Sequence, residues 1–306
     1  MTKRIAILGA GFIGINLVEY FLEKGCQVNV LDRGEKPNSL THPHLNWLKG
    51  DISDKEPLSR LLGMSDVVFY LVSSTVPGDD VDVSKELFVN VSQLLQVLEL
   101  CEIQKVKQFL FFSSSSVYGA QKYFPISESA VPFPISAHGI QKLTMEYYIG
   151  LFSRRSDVDC KIVRLSNPYG PGQNVFGRQG FISIVIGHLI QGTPINIRGT
   201  GDDVRDYIYI KDVAEACYQL VETKSDHLIF NLGCGVGHSL NQVVRVFERL
   251  LGCSLEVAHT ACRESDIPTS ILSIKKINEN YSFIPQTSLI EGIKTFLRHH
   301  ELILNK

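Results

Sequence analysis

Three glycines spaced as Gly9-x-Gly11-x-x-Gly14 stand between a short apolar run and a helical pattern. At this spacing the chain can turn tightly and its backbone can approach a pyrophosphate. The following helix can also pack close, with its N-terminus facing the anion. Asp32 lies about 20 residues further on, at the end of the next apolar run. A carboxylate there accepts hydrogen bonds from the ribose hydroxyls of an adenine dinucleotide. It also repels a 2′-phosphate, which favours NAD over NADP, and Arg33 beside it softens that choice. Asp51 follows a third apolar run and by itself reads as an N-cap. Ser113 to Ser116 form a serine run at the carboxyl end of a buried strand, where ligands sit in parallel sheets. Such serines also serve simply to satisfy loop backbone groups.

A buried sheet is needed to hold these groups. Arg4 to Leu8, Gln27 to Leu31, Trp47 to Lys49, Asp66 to Val72, Val106 to Phe112 and Asp159 to Leu165 read as six strands. Ile13 to Lys24, Asp82 to Cys101 and His138 to Phe152 read as helices between them. Near-continuous apolar strands alternating with helices predict an α/β fold. Its core is a doubly wound parallel sheet, covered on both faces and joined by right-handed crossovers. After Pro168 the segments shorten and become rich in Gly and Pro. Tyr207 to Val221 and Leu228 to Leu232 predict a strand, helix and strand returning to the main sheet. Asn241 to Leu251 and Ser288 to His299 are expected helices of a smaller α/β lobe. The expected division is a sheet domain of residues 1–168 plus about 203–232, and a lobe of about 169–202 plus 233–306, sharing a cleft.

The 306 residues are 44% hydrophobic and 20% charged, which excludes a disordered chain, a fibre and a disulfide-rich miniprotein. The 30 basic and 32 acidic residues are well mixed, so neither nucleic acid nor an anionic membrane is an expected partner. No apolar run reaches the ~18 residues of a spanning helix. Lys3 and Arg4 ahead of Ile5 to Val18 faintly resemble a secretory leader, but three glycines, Asn16 and Glu19 interrupt the stretch. The seven cysteines are scattered, with no CxxC pair and no zinc spacing. They read as free thiols in a reducing cytoplasm, with no metal site.

Several motifs occur in a familiar order. They are Gly9 to Gly14, Leu31-Asp-Arg33, Gly50-Asp-Ile52, Phe112-Ser-Ser-Ser-Ser-Val-Tyr-Gly119, Arg164-Leu-Ser-Asn-Pro-Tyr-Gly-Pro-Gly172, Gly199-Thr-Gly-Asp-Asp-Val-Arg-Asp206 and Arg263-Glu-Ser-Asp-Ile267. As a set they resemble the extended short-chain dehydrogenases/reductases, in the NAD-dependent nucleotide-sugar epimerase/dehydratase group. The resemblance covers nearly the whole chain. It is specific for the family and poorly specific for the substrate. It implies a Rossmann sheet, NAD as cofactor and a nucleotide sugar, UDP-linked, as substrate. It also implies a 4-epimerase acting by transient oxidation at the sugar C4, with a place in polysaccharide biosynthesis. A homodimer built on the Asp82–Cys101 and His138–Phe152 helices is expected by analogy.

The same resemblance assigns residues. NAD is expected against Gly9, Gly11, Phe12, Ile13 and Gly14, with Asp32 and Arg33 at the ribose and Asp51 and Ile52 at the adenine. Leu71, Val72, Ser73, Asn90 and Lys142 complete that set. On the sugar-nucleotide side the resemblance implies Ser114 and Asn167, and Arg205 and Arg263 as a diphosphate clamp. Asp266 would hold a ribose or its Arg neighbour. Ser270, a small gate residue, leaves room for an N-acetyl group.

Two departures stand out. Leu8 replaces the first glycine of the usual G-x-x-G-x-x-G loop. The family's Tyr-x-x-x-Lys becomes His138-Gly-Ile-Gln-Lys142, with His at the catalytic Tyr position. In the family the Tyr phenolate removes a sugar hydroxyl proton, the Lys lowers its pKa and holds the nicotinamide ribose, and a Ser shares the reacting oxygen. Ser114, His138 and Lys142 therefore form the expected catalytic set. An imidazole, with an ordinary pKa of ~6.5, is a competent neutral base at pH 7. It is also shorter than a phenol, and a reach lost by ~1 Å can cost ~100-fold. A catalytically silent protein that binds NAD and a nucleotide sugar therefore stays open as an alternative, as does a base supplied by Tyr118 or Tyr123. Tyr147 and Tyr148 lie too far along the helix. A reductase or dehydratase is a further alternative. Dehydration is disfavoured because Ser115 and Ser116 stand where a dehydratase carries acids. An oxidoreductase acting on a substrate other than a nucleotide sugar would leave Arg205 and Arg263 without a purpose.

Overall fold

The computed structural model describes residues 2–73, 83–261 and 267–304. Arg263 and Asp266, and the first residue of the helix expected from Asp82, lie outside the described residues. The chain opens with β1 (Arg4–Leu8), the glycine turn, α1 (Phe12–Glu23) and β2 (Gln27–Asp32). Next come β3 (Leu45–Lys49), α2 (Lys55–Gly63), β4 (Val67–Tyr70) and α3 (Val83–Ile103). β5 (Gln108–Ser114) runs into a 3₁₀ turn at Ser115–Tyr118, followed by α4 (Ala137–Ser153) and β6 (Asp159–Leu165). The middle of the chain holds β7 (Asn167–Tyr169), α5 (Phe181–Gln191), β8 (Ile195–Arg198), β9 (Val204–Tyr209), α6 (Ile210–Glu222) and β10 (Ile229–Leu232). The remainder comprises β11 (Gly237–Ser239), α7 (Leu240–Leu251), β12 (Val257–Thr260), β13 (Thr269–Ser270), α8 (Lys275–Tyr281) and α9 (Leu289–His299).

Seven parallel strands form the central sheet in the order β10-β6-β5-β4-β1-β2-β3. Alternate side chains feed two cores. Ile5 and Ile7 pack with Leu17, Val18 and Phe21 of α1 and with Val213 and Leu220 of α6. Ala6 and Leu8 face Leu58 and Leu61 of α2, Leu94 and Val97 of α3, and Met145 and Ile149 of α4. Burial on both faces is why most of these strands read as near-continuous apolar runs. The strand order reverses between β1 and β4, and a crevice opens there at the carboxyl ends.

The structure corrects one expected strand. The strand expected from Tyr207 does not return to the central sheet. It belongs to β9, which pairs with β7, β11 and β13 in a separate small sheet, and only β10 joins the main one. Tyr207 and Tyr209 instead join a third core with Ile182, Val185 and Ile186 of α5, Phe247 of α7 and Phe296 of α9. α2 and α5 were not anticipated. Pro57 obscures α2, although proline is tolerated in a first helical turn. α5 is rich in Ile and Val, types that favour strands. Burial of Ile182, Val185 and Ile186 at helical spacing overrides that preference.

Candidate active site

The glycine turn has the shape its spacing predicts. A Cβ on Gly14 would fall 2.2 Å from the Gly9 carbonyl oxygen, so only glycine lets α1 start this close to the turn. A Cβ on Gly11 would meet nothing within 4 Å, so the space above that residue is open. α1 starts at Gly11 with no side-chain cap, and its first N–H groups are therefore left for an outside acceptor. Open space, a bare helix N-terminus and glycine backbone together fit a dinucleotide pyrophosphate. Asp32 ends β2 beside this turn. Its carboxylate accepts N–H bonds from Ala10 at 2.6 Å and from Gly34 at 2.6 Å. Those two bonds orient the group and leave acceptor capacity for hydroxyl donors. Asp51 accepts from the backbone and the hydroxyl of Ser53, which holds its pKa below the ordinary carboxylate range.

A cleft of about 970 Å³ runs from this turn to the small sheet. Gly9, Gly11, Phe12, Ile13 and Gly14 line it, with Asp32, Arg33, Asp51 and Ile52 at one end. Leu71, Val72 and Ser73 follow β4 and line its middle. Asn90, also expected in the cofactor set, is not among the described residues that line the cleft. It lies buried in α3, its amide donates to Gln141 at 2.8 Å, and α3 presents Val89 and Gln93 to the cleft instead.

Ser114, His138 and Lys142 all line the same cleft. Ser114 ends β5 and caps the 3₁₀ turn, accepting from the Ser116 N–H at 3.2 Å and its hydroxyl at 2.9 Å. His138 lies in the first turn of α4, where Ser136 is the N-cap and accepts from the Gly139 N–H at 3.1 Å. A Cβ on Gly139 would sit 2.7 Å from the Ser116 carbonyl oxygen. Glycine at that position is what allows the start of α4, and His138 with it, to lie against the serine turn. Lys142 follows one helical turn later, buried, with Nζ donating to the Phe112 carbonyl at 2.9 Å and lying 4.8 Å from the Phe111 ring centre. Burial lowers its pKa to about 8, and the Glu146 carboxylate opposes that fall.

No tyrosine is among the described residues lining the cleft. Tyr118 is fully buried and donates to Asn231 Oδ1 at 2.6 Å, and burial pushes its pKa up to about 12. Tyr123 is 85% exposed and is not a lining residue.

The far half of the cleft carries the expected sugar-nucleotide side chains that are described. Asn167, on β7, uses Nδ2 to donate to the Asp206 carbonyl at 2.9 Å and lines the cleft. Arg205, on β9, lines it while donating to the carbonyls of Val204 and Pro268 and pairing with Asp203 at 3.4 Å. Ser270, on β13, lies beside Arg205 in the register of the small sheet and also lines the cleft. Ser115 and Ser116 line the wall where a dehydratase would need acids. Among the described residues no His, Cys, Asp or Glu cluster could hold a metal ion, and no helix is long and apolar enough to cross a membrane.

Residues 5–233 match the NAD dependent epimerase/dehydratase family. The chain belongs to this family. The UDP-glucose 4-epimerase of Mycolicibacterium smegmatis is 30% identical over 294 residues, covering 93% of this chain and 94% of that protein. The UDP-glucose 4-epimerase of Thermotoga maritima, solved with UDP-glucose, has a TM-score of 0.91 at 29% identity, covering 98% of this chain and 99% of that one. The Thermus thermophilus UDP-glucose 4-epimerase complex with NAD has a TM-score of 0.88 at 27% identity, covering 98% and 99%. In this epimerase/dehydratase, Arg178, Gln179 and Arg198 also line the far half of the cleft, and the sequence had not singled them out. Arg178 and Gln179 lie in a Gly-rich stretch before α5, and Arg198 ends a strand of four residues. Neither setting has a spacing signal.

Proposed function

We propose that the protein is an NAD-dependent UDP-hexose or UDP-N-acetylhexosamine 4-epimerase, working by transient oxidation at the sugar C4. The observation that carries this is the convergence of Ser114, His138 and Lys142 on one cleft that also contains the glycine turn and Asp32. We read the turn and the α1 N-terminus as the pyrophosphate seat, Asp32 and Arg33 as the ribose site, and Asp51 and Ile52 as the adenine site. Leu71, Val72, Ser73 and Lys142 lie toward the nicotinamide. Asn167, Arg205 and Ser270, with Arg263 and Asp266 from the sequence, are assigned to the sugar nucleotide. NAD held there would supply a reversible hydride acceptor for the sugar C4. Lys142 would hold the nicotinamide ribose. Ser114 Oγ bonds the reacting sugar oxygen, and a ring nitrogen of His138 takes the hydroxyl proton and later gives it back. Small Ser270 leaves space beside the sugar for an N-acetyl group. Ser115 and Ser116 cannot protonate a leaving hydroxyl, which disfavours dehydration.

His138 in the tyrosine position favours a second reading, a family member that binds NAD and a nucleotide sugar without turnover. A coupled assay with UDP-glucose, UDP-galactose and their N-acetyl counterparts separates the two. The epimerase reading predicts interconversion with no net consumption of NAD, falling at least ~100-fold in Lys142→Ala. Undiminished activity in Lys142→Ala refutes the assigned roles. Ligand binding without turnover, with turnover appearing in His138→Tyr, supports the silent reading.

The assembly we infer is a homodimer through α3 and α4. Phe88 and Leu95 of α3 and Ile140, Tyr147 and Tyr148 of α4 are exposed apolar side chains on these neighbouring helices. Six described cysteines are all free, which supports a cytoplasmic setting. The division we favour is an NAD-binding domain of residues 1–168 plus about 203–232, although β9 pairs with the lobe.

A further inference from the structure

α4 carries His138, Lys142 and Glu146 at successive intervals of four, which places the three on one helix face. The first two line the cleft, whereas Glu146 is buried beneath it with its side chain 3% exposed. Its carboxylate is heavily engaged. Ser113 donates to Oε1 at 2.5 Å. Arg164 donates through Nε to both oxygens at 3.0 and 3.2 Å, and through Nη2 to Oε2 at 2.6 Å. Ser113 and Arg164 are register partners on β5 and β6, so their side chains leave the same sheet face, toward α4.

The three last residues of β5 divide the work. The Phe112 carbonyl accepts from Lys142, the Ser113 hydroxyl donates to Glu146, and Ser114 presents its hydroxyl to the cleft. α4 is thus tied to the catalytic strand end at two points, one turn apart. A lone strut of this kind needs no charge, since an apolar pair of similar size would pack as well or better. A carboxylate there does something an apolar group cannot: it places a fixed anion one turn from a buried ammonium. We propose that Glu146 is a positioning residue, whose buried carboxylate keeps Lys142 protonated under the nicotinamide ribose and holds the β5 end that carries Ser114.

Several charged and titratable groups among the described residues lie near Lys142. His138 and Glu146 share its helix, and Arg164 of β6 lies beyond Glu146, against the Tyr118 ring at 4.7 Å. Glu128 approaches that group from the loop before α4 through the Asn231 N–H, and α3 contributes the neutral Asn90 through Gln141. Burial favours the neutral amine of Lys142, and the Glu146 carboxylate is the group that opposes it.

The inference rests on the reading of Lys142 as a contact of bound NAD. Its test is the pH dependence of the NAD dissociation constant, measured by titration calorimetry between pH 6 and 10. Wild-type affinity is expected to weaken as Lys142 deprotonates near pH 8, and Lys142→Met should lack that inflection. In Glu146→Gln the inflection is expected to move down by about one pH unit. Glu146→Gln leaves Arg164 buried and unpaired, which can prevent folding. The double variant Glu146→Gln/Arg164→Met removes both charges and is expected to show a displacement in the same direction but smaller. A folded variant whose inflection stays at the wild-type pH overturns the inference. A wild-type protein that binds no NAD at any pH overturns the functional reading and this inference with it. Normal NAD affinity with no inflection overturns the inference alone.

Discussion

Lys142 carries a stability cost at the position proposed for it in the cofactor site. Its amine is buried, and burial holds its pKa at about 8, below the 10.5 of an exposed lysine. A depressed lysine pKa means the folded state resists the proton. Below about pH 8 the folded protein bears the full cost, between about 8 and 10.5 the cost fades, and above 10.5 both states are neutral. Lys142→Met is therefore expected to be the more stable protein at pH 7. The gain is on the order of 2 kcal/mol, after allowing for the lost bond to Phe112. Thermal melts from pH 7 to 10 check this, with the difference narrowing as the pH rises. A variant that melts lower than wild type at pH 7 contradicts it. Lys142 was picked out in the sequence by the resemblance of His138-Gly-Ile-Gln-Lys142 to a Tyr-x-x-x-Lys motif, and the structure places it on the cleft. Glu146 was not, because an acid in a helix ordinarily reads as a solvated face, and only the fold brings Ser113 and Arg164 to it.

Elements, rather than side chains, set how close His138 lies to the serine turn. The serine turn and the first turn of α4 touch at Gly139, where a Cβ would lie 2.7 Å from the Ser116 carbonyl oxygen. Gly139→Ala should gain about 1 kcal/mol of helix propensity, yet it must push the helix start away from Ser114. The expected result is turnover reduced by about 100-fold, with a smaller loss of NAD affinity because Lys142 sits one turn further along the same helix. Steady-state kinetics beside an NAD titration tests this, and full activity would contradict it. Elements of this sheet were readable where burial is two-sided. β1 and β6 occupy the spans predicted for them, because their residues are buried on both faces and mostly apolar, with Lys161 and Arg164 the charged exceptions inside β6. The small sheet was less readable. Its strands β7, β11 and β13 have two or three residues, too short for any alternation, and β9 was assigned to the wrong sheet for that reason. α5 was hidden by its own Ile and Val content.

The whole molecule leaves an apolar stripe along α3 and α4, with Phe88 74% and Tyr147 69% exposed. Such a stripe is expected to be covered by a second copy across a two-fold axis. Phe88→Asp with Tyr147→Asp should then sediment as a monomer at micromolar concentration where wild type sediments as a dimer, and an unchanged sedimentation coefficient contradicts the interface. On the same scale the central sheet delivers the glycine turn, β4, β5 and α4 to one crevice, while the small sheet supplies Asn167, Arg205 and Ser270 from the other side. The account stands on the cofactor lying along that crevice between them. A crystal structure with NAD and a UDP-hexose tests it most directly. The nicotinamide ribose is predicted to contact Lys142 Nζ, with the sugar C4 oxygen within about 2.6–3.2 Å of Ser114 Oγ and of a His138 ring nitrogen or a water bound to it. A nicotinamide ring found away from Ser114, His138 and Lys142 would contradict the account.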